Sequence, residues 1–261
     1  MFNPARPAPF VLVSTDHGMM IVNGKDFEAV EGGVIGVSVE LFNHSQYDAA
    51  QLELMLEILS FRREQLGDGV VVIDGGANIG SYTLFLARAM TGWGRVLAFE
   101  PQEMLYYALC GNIAVNNCFN ARAVCAGLGS GCEESLEMPL LDYTKPRNFG
   151  GVHLQRKVDG PSQTVTLVAI DSLGFPRVDL IKLDIEGMEI VALEGARKTI
   201  ERCKPLISAE HIICGMDALK EMLEPLGYAV QMTGMNTLCV HKDDPISKRI
   251  RFYDSTKSEA A

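Results

Sequence analysis

Four acids in this chain each close a run of apolar residues: Asp74, Glu100, Asp184 and Glu210. Apolar strands that end in an acid place their carboxylates at the carboxyl edge of a sheet. In an open parallel sheet, ligands bind outside that edge. Four carboxylates gathered there make a negatively charged rim that accepts hydrogen bonds. Such a rim suits a ligand with ribose hydroxyls and a positive charge, and S-adenosylmethionine has both.

The first of these strands leads through Gly75, Gly76, Ala77, Asn78, Ile79 and Gly80 into a helical pattern. Small residues belong where backbone approaches a ligand closely, and N–H groups at a helix start hold anionic or polar groups. For the methionine donor that group is its carboxylate, with Asp74 placed to accept from its ammonium. The glycines at 75, 76 and 80 do not fit the dinucleotide pattern G-x-G-x-x-G, and no Lys precedes Ser81 as a P-loop requires. Glu100 lies roughly 20 residues beyond the turn, the spacing at which an acid binds ribose hydroxyls.

The elements that position these residues alternate from Val70 onward. Strands are expected at 70–74, 96–99, 121–126, 178–183 and 206–209, and helices at 81–90, 102–116, 188–203 and 217–226. Runs at 228–232 and 237–241 read as a closing hairpin that adds an antiparallel edge strand. Strand–helix repetition argues for a parallel sheet with right-handed crossovers. Ahead of it, 10–13 and 19–22 read as a hairpin, 34–42 as a strand and 47–65 as a helix. Residues 1–66 therefore form a cap that does not fold independently, 67–245 the main domain and 246–261 a polar tail. The stretch 130–164, rich in Pro and Gly, reads as short strands and loops over one end of the sheet.

Composition narrows the partners. The chain has 261 residues, 48% apolar, with a formal charge of -10 and no basic stripe, which argues against nucleic acid. No segment approaches the roughly 18 apolar residues of a membrane span. The opening MFNPARPAPF lacks the apolar core of a secretory signal, so a soluble cytoplasmic protein is expected. Seven cysteines include no Cys-x-x-Cys pair and read as buried, reduced thiols. His17, His44, His153 and His241 read as surface residues.

The motifs DGGANIG (74–80), FEP (99–101), NIAVNN (112–117), NFGG (148–151), AIDSL (169–173) and DLIKLDIEGMEIVALEGA (179–196) resemble the FkbM family of S-adenosylmethionine-dependent methyltransferases. The last is the most specific, and Gly75 stands where the family usually has a larger residue. The resemblance spans 70–211. It implies a Rossmann-like class I methyltransferase: an α/β fold with a seven-stranded, mostly parallel sheet ordered 3-2-1-4-5-7-6 and helices on both faces. It also implies methylation of a hydroxyl on a sugar or secondary metabolite, so the expected partner is a small-molecule or glycan acceptor, with a homodimer as a further expectation.

Within that frame, Asp74, Gly76, Asn78 and Gly80 shape the methionine end, Glu100 holds the ribose and Gly127 lies near the adenine. An alcohol is a poor nucleophile, and removing its proton in the transition state contributes about 10² to 10⁴ in rate. Asp184, Glu210 and His211 are the candidates for that work. The same three could instead hold a divalent cation, although no sequence-adjacent ligand spacing supports one. Asp171, in AIDSL, reads as capping a short turn through its side chain. The rival readings are a dinucleotide-dependent oxidoreductase and an inactive methyltransferase-like binding protein.

Overall fold

The computed structural model describes residues 7–131, 135–154 and 157–249. Its centre is a sheet of seven strands: β1 (Val70–Gly75), β2 (Gly94–Phe99), β3 (Ala121–Val124), β4 (Leu180–Leu183), β5 (Leu206–Glu210), β6 (Tyr228–Thr233) and β7 (Asn236–His241). They lie in the order 3-2-1-4-5-7-6. All neighbours run parallel except β7, which is antiparallel to both β5 and β6. This is the order the resemblance implies.

Both sheet faces are covered, which is why the central strands read as unbroken apolar runs. Side chains alternate across a strand. Val70 and Val72 enter one core with Leu52, Leu59, Leu84 and Leu86, while Val71 and Ile73 enter the other with Leu193, Ile200 and Leu219. The first face carries α2 (Ala49–Leu66) and α3 (Ser81–Ala89), which follow the short α1 (Val37–His44). The remaining helices are α4 (Glu103–Val115), α5 (Glu189–Glu194), α6 (Arg197–Cys203) and α7 (Met216–Leu223). Among the described residues no helix is long and apolar enough to cross a membrane.

Two expected elements differ. The strand expected over 34–42 is a short strand, Gly33–Ile35, followed by α1. The chain reverses at Gly36 (φ 142°), where a Cβ would stand 2.4 Å from the Asp26 carbonyl oxygen, and the Asp26 carboxylate accepts the Ser38 N–H and hydroxyl. The single helix expected over 188–203 is two, α5 and α6. A Cβ at Gly195 would stand 2.0 Å from the Gly129 carbonyl oxygen, so close backbone approach breaks the run there. Asp171 then caps α6, accepting from the Lys198 and Thr199 N–H groups at 2.9 and 2.7 Å.

The N-terminal hairpin, Phe10–Thr15 with Gly18–Asn23, packs on α4, where Asn112 bonds to Ile21 on one side and to the Ile79 carbonyl on the other. Within 130–164, Ser135–Pro139 pairs with Ser162–Val168, which also pairs with Gly127–Leu128. Cys118 and Cys239 are buried as expected, but Cys125 is exposed. Residues 1–6, the tail from 250 onward and Cys132 lie outside the described residues.

Candidate active site

Strand register builds the site. Asp74, Lys182 and Ser208 stand side by side across β1, β4 and β5. The two-residue period of a strand turns Asp184 and Glu210, each two positions further on, toward the same face. The carboxyl edges of β1, β2 and β4 border a narrow cleft that is partly open to solvent. Gly76, Glu100, Gln102, Gly127, Gly150 and Asp184 are among the residues that line it.

The glycine turn is held on every side. Gly76 and Ala77 donate to the Phe99 carbonyl at 3.0 and 2.9 Å, and Gly80 donates to Ala77 at 2.8 Å. Asn78, at φ 51°, donates its N–H to Glu100 Oε2 at 2.8 Å, and its side-chain oxygen accepts from Ile79. The N–H groups from Gly76 to Gly80 are therefore engaged within the protein. Gly76 (φ 71°) is indispensable in this packing, because a Cβ would stand 1.8 Å from the Asp184 carbonyl oxygen. Gly75 does not loosen the turn: the space above it is filled by Leu128 and Leu183, which a Cβ would meet at 2.7 and 3.0 Å.

Glu100 is buried, and its other oxygen accepts the Gln102 N–H at 2.8 Å. Burial pushes its carboxyl up to about 7, against the opposing pull of the Gln102 and Asn78 N–H groups. Gln102 in turn donates to the Phe149 carbonyl at 2.6 Å, which fixes the NFGG segment along the cleft.

Asp74 has a different position from the one expected. Its carboxylate is fully buried and is not part of the cleft lining. It accepts from Thr83 Oγ1 at 2.6 Å and pairs with Lys182 Nζ at 3.3 Å, so its charge is already balanced inside the protein.

At the reaction end the structure brings together Asp184, Glu186 and Glu210, whose carboxylate oxygens lie within 4.8 Å of one another. His211 is not in the group. The His211 backbone N–H donates to Met235, and its Nδ1 is buried with no partner among the described residues. Burial, then the like charge of Asp184, pushes Glu186 and Glu210 each up to about 7. That value suits proton transfer near neutral pH.

The N-terminal segment also reaches this end. Asp48, at φ 49°, accepts from the Tyr82 hydroxyl, and Tyr47 packs edge-on against Tyr82 at 6.4 Å. Gln51 donates to Ser208 at 3.2 Å, beside Glu210. His17, expected at the surface, is buried and accepts the Tyr47 N–H through Nε2 at 2.9 Å. Lys182, Gln102 and the Tyr47–Asp48 pair are neighbours that a pattern of strand-end acids does not reveal, and Glu186, two residues beyond Asp184, joins them. The lysine and Glu186 stood in plain view inside the IKLDIEG stretch.

The family model of the methyltransferase FkbM domain matches residues 74–230. The chain belongs to the FkbM methyltransferase family. Two curated relatives are fungal. Methyltransferase sdnD of Sordaria araneosa is 26% identical over 198 residues, covering 63% of this chain and 70% of its own. Methyltransferase 1 of Beauveria bassiana is 27% identical over 150 residues, 49% of this chain and 59% of that one. Among solved structures, the FkbM methyltransferase of Methylobacillus flagellatus is 20% identical with a TM-score of 0.49, covering 71% of this chain and 48% of that chain. A Streptococcus mutans protein solved in complex with SAH is 14% identical with a TM-score of 0.45, covering 72% and 94%. This FkbM chain thus spans about half of the Methylobacillus flagellatus protein and less than two thirds of the Beauveria bassiana one.

Proposed function

We propose that this FkbM-family chain is an S-adenosylmethionine-dependent O-methyltransferase acting on a hydroxyl of a sugar or secondary metabolite. The observation that carries the reading is Glu100: a buried carboxylate, anchored by Asn78 and Gln102, that borders a cleft floored by glycine. A carboxylate with two fixed donors presents its remaining lone pairs in one direction, as recognition of paired ribose hydroxyls requires. Gly76, Asn78 and Gly80 shape the methionine end, and Gly127, which lines the cleft, lies near the adenine. Asp184 and Glu186, on the cleft wall, meet the donor's positive charge in place of the internally paired Asp74.

When bound, S-adenosylmethionine supplies a methyl group already activated for in-line displacement. The protein's part is to orient the acceptor hydroxyl and take its proton. Glu210 is our choice for the base, because its carboxyl titrates near neutrality beside Asp184. His211 is the second candidate.

Calorimetry with S-adenosylhomocysteine (SAH) and with NAD tests the donor. Saturable SAH binding without NAD binding is the expected result, and the reverse would move the chain to the oxidoreductase class. Transfer of radiolabelled methyl across a panel of alcohols and sugars tests the reaction, and donor binding without transfer would favour the inactive binding protein.

A further inference from the structure

Behind the acids of the cleft lies one buried cation. The Lys182 side chain is 6% exposed, and Lys182 does not line the cleft. Its Nζ donates to the Gly76 and Gly75 carbonyls at 3.0 and 3.2 Å. It also pairs with Asp74 Oδ1 at 3.3 Å and Asp184 Oδ2 at 3.8 Å, and stands 5.0 Å from the centre of the Tyr82 ring. Burial alone would lower the ammonium's pKa, but Asp74 and Asp184 outweigh it and raise the value, so the group stays charged.

These contacts divide the work of holding the turn. Its N–H groups at Gly76 and Ala77 are fixed by the Phe99 carbonyl of β2, and its carbonyls at Gly75 and Gly76 accept from Lys182 of β4, Gly75 also from the Asp184 N–H at 3.2 Å. The same ammonium holds the Asp184 carboxylate, which is 35% exposed and faces the cleft. The ammonium has three N–H donors, and it directs two of them at the turn's carbonyls while facing Asp184 as well as Asp74. We infer that Lys182 is the positioning residue of the donor site: it pins the Gly75–Gly76 carbonyls and aims Asp184 along the cleft wall without touching the donor. The inference rests on the reading of this cleft as the donor site.

The competing role is plain charge balance for Asp74, and paired substitution separates the two. Lys182→Met alone leaves Asp74 buried and unpaired, which threatens folding. Lys182→Met with Asp74→Asn removes both charges together. SAH is titrated by calorimetry into the wild type, this double variant, Asp184→Asn and the triple variant, with thermal melting as the check on folding. The double variant is expected to melt cooperatively yet bind SAH at least about tenfold more weakly, and Asp184→Asn to cost less in it than in the wild type. Affinity within about twofold of wild type, or equal Asp184→Asn factors in both backgrounds, overturns the positioning role. If the double variant does not fold, Lys182→Arg keeps the charge beside Asp74 but replaces a point ammonium by a planar fork. Weakened SAH binding in that variant supports the inference, and unchanged binding overturns it. Failure of the wild type itself to bind SAH overturns the donor-site reading, and the role of Lys182 with it.

Discussion

The carboxylate of Glu100 accepts the backbone N–H of Asn78 at 2.8 Å, which ties the tip of β2 to the turn after β1. Replacement by Gln keeps one acceptor but sets an amide N–H₂ against a second N–H donor. Charge-assisted bonds are worth roughly 1.5 to 3 kcal/mol each, so Glu100→Gln should weaken SAH binding at least about tenfold. Calorimetry at constant salt reads this directly, and unchanged affinity would remove Glu100 from the ribose role.

The same group sets a pH dependence. Its folded carboxyl, pushed up to about 7 by burial, lies above the ordinary range, as do Glu186 and Glu210. A carboxyl raised on folding stabilises the protein below its unfolded pKa, and that contribution is lost as pH rises through the folded value. The melting temperature of the free protein should therefore fall between about pH 5 and about pH 7, with a smaller fall in Glu100→Gln. Ribose hydroxyls favour the ionised carboxylate, so SAH affinity should climb over about pH 6 to about pH 8. Melting and calorimetry across the range check both signs.

At Gly76, a Cβ would meet the Asp184 carbonyl oxygen at 1.8 Å with φ at 71°. Backbone cannot yield as a flexible side chain does. Gly76→Ala should cost at least about 2 kcal/mol through strain and displacement of β4 from β1. Urea unfolding measures the loss. A stability within experimental error of wild type would mean that the turn tolerates a wider opening than this packing allows.

Much of this architecture was readable from pattern. Buried parallel strands announce themselves as apolar runs, and the acid after each run marks the edge where the cleft lies. Asp171 does cap through its side chain, but on α6, 27 and 28 positions away, and not on the short turn its type suggested. What pattern could not show was which polar atoms meet. Asp74 and Glu100 look alike in sequence, yet one faces Lys182 inside the protein and the other borders the cleft. Glu186, at φ 54° before Gly187 at φ 93°, joins the carboxylate group, whereas His211 does not. The strand expected over 34–42 failed for a similar reason, since its helix starts on a carboxylate 12 residues earlier.

Glu210 should govern the rate on the alkaline side of the carboxylate range. If it removes the acceptor's proton, methyl transfer rises with pH and levels off above about 7. Glu210→Gln should lower the rate by about 10² or more and abolish that rise. Glu186→Gln should act differently. Burial and Asp184 hold Glu210 up most strongly, and Glu186 adds to them, so its neutralisation should move the profile to lower pH while turnover persists. Single-turnover rates on the first acceptor identified, followed across pH for both variants, separate the roles. A profile unmoved in Glu210→Gln would transfer the base to His211.

The N-terminal segment is proposed as part of the domain and not a detachable cap, and Arg62 of α2 is where this is testable. Its side chain is 6% exposed and donates through Nε to Asp244 Oδ2 at 3.0 Å, while Nη1 lies 3.6 Å from Asp179 Oδ1. Asp179 also accepts the Val71 N–H at the start of β1, so one guanidinium joins the extension, the central sheet and the segment after β7. Arg62→Met would leave Asp244 buried with its charge unmatched, and Asp179 with only Arg177. Breaking a buried pair in this way costs about 3 to 5 kcal/mol. Urea unfolding should show that loss as one cooperative transition shared by extension and sheet. Two separate transitions, or a loss confined to the first 66 residues by hydrogen exchange, would make the extension an independent unit.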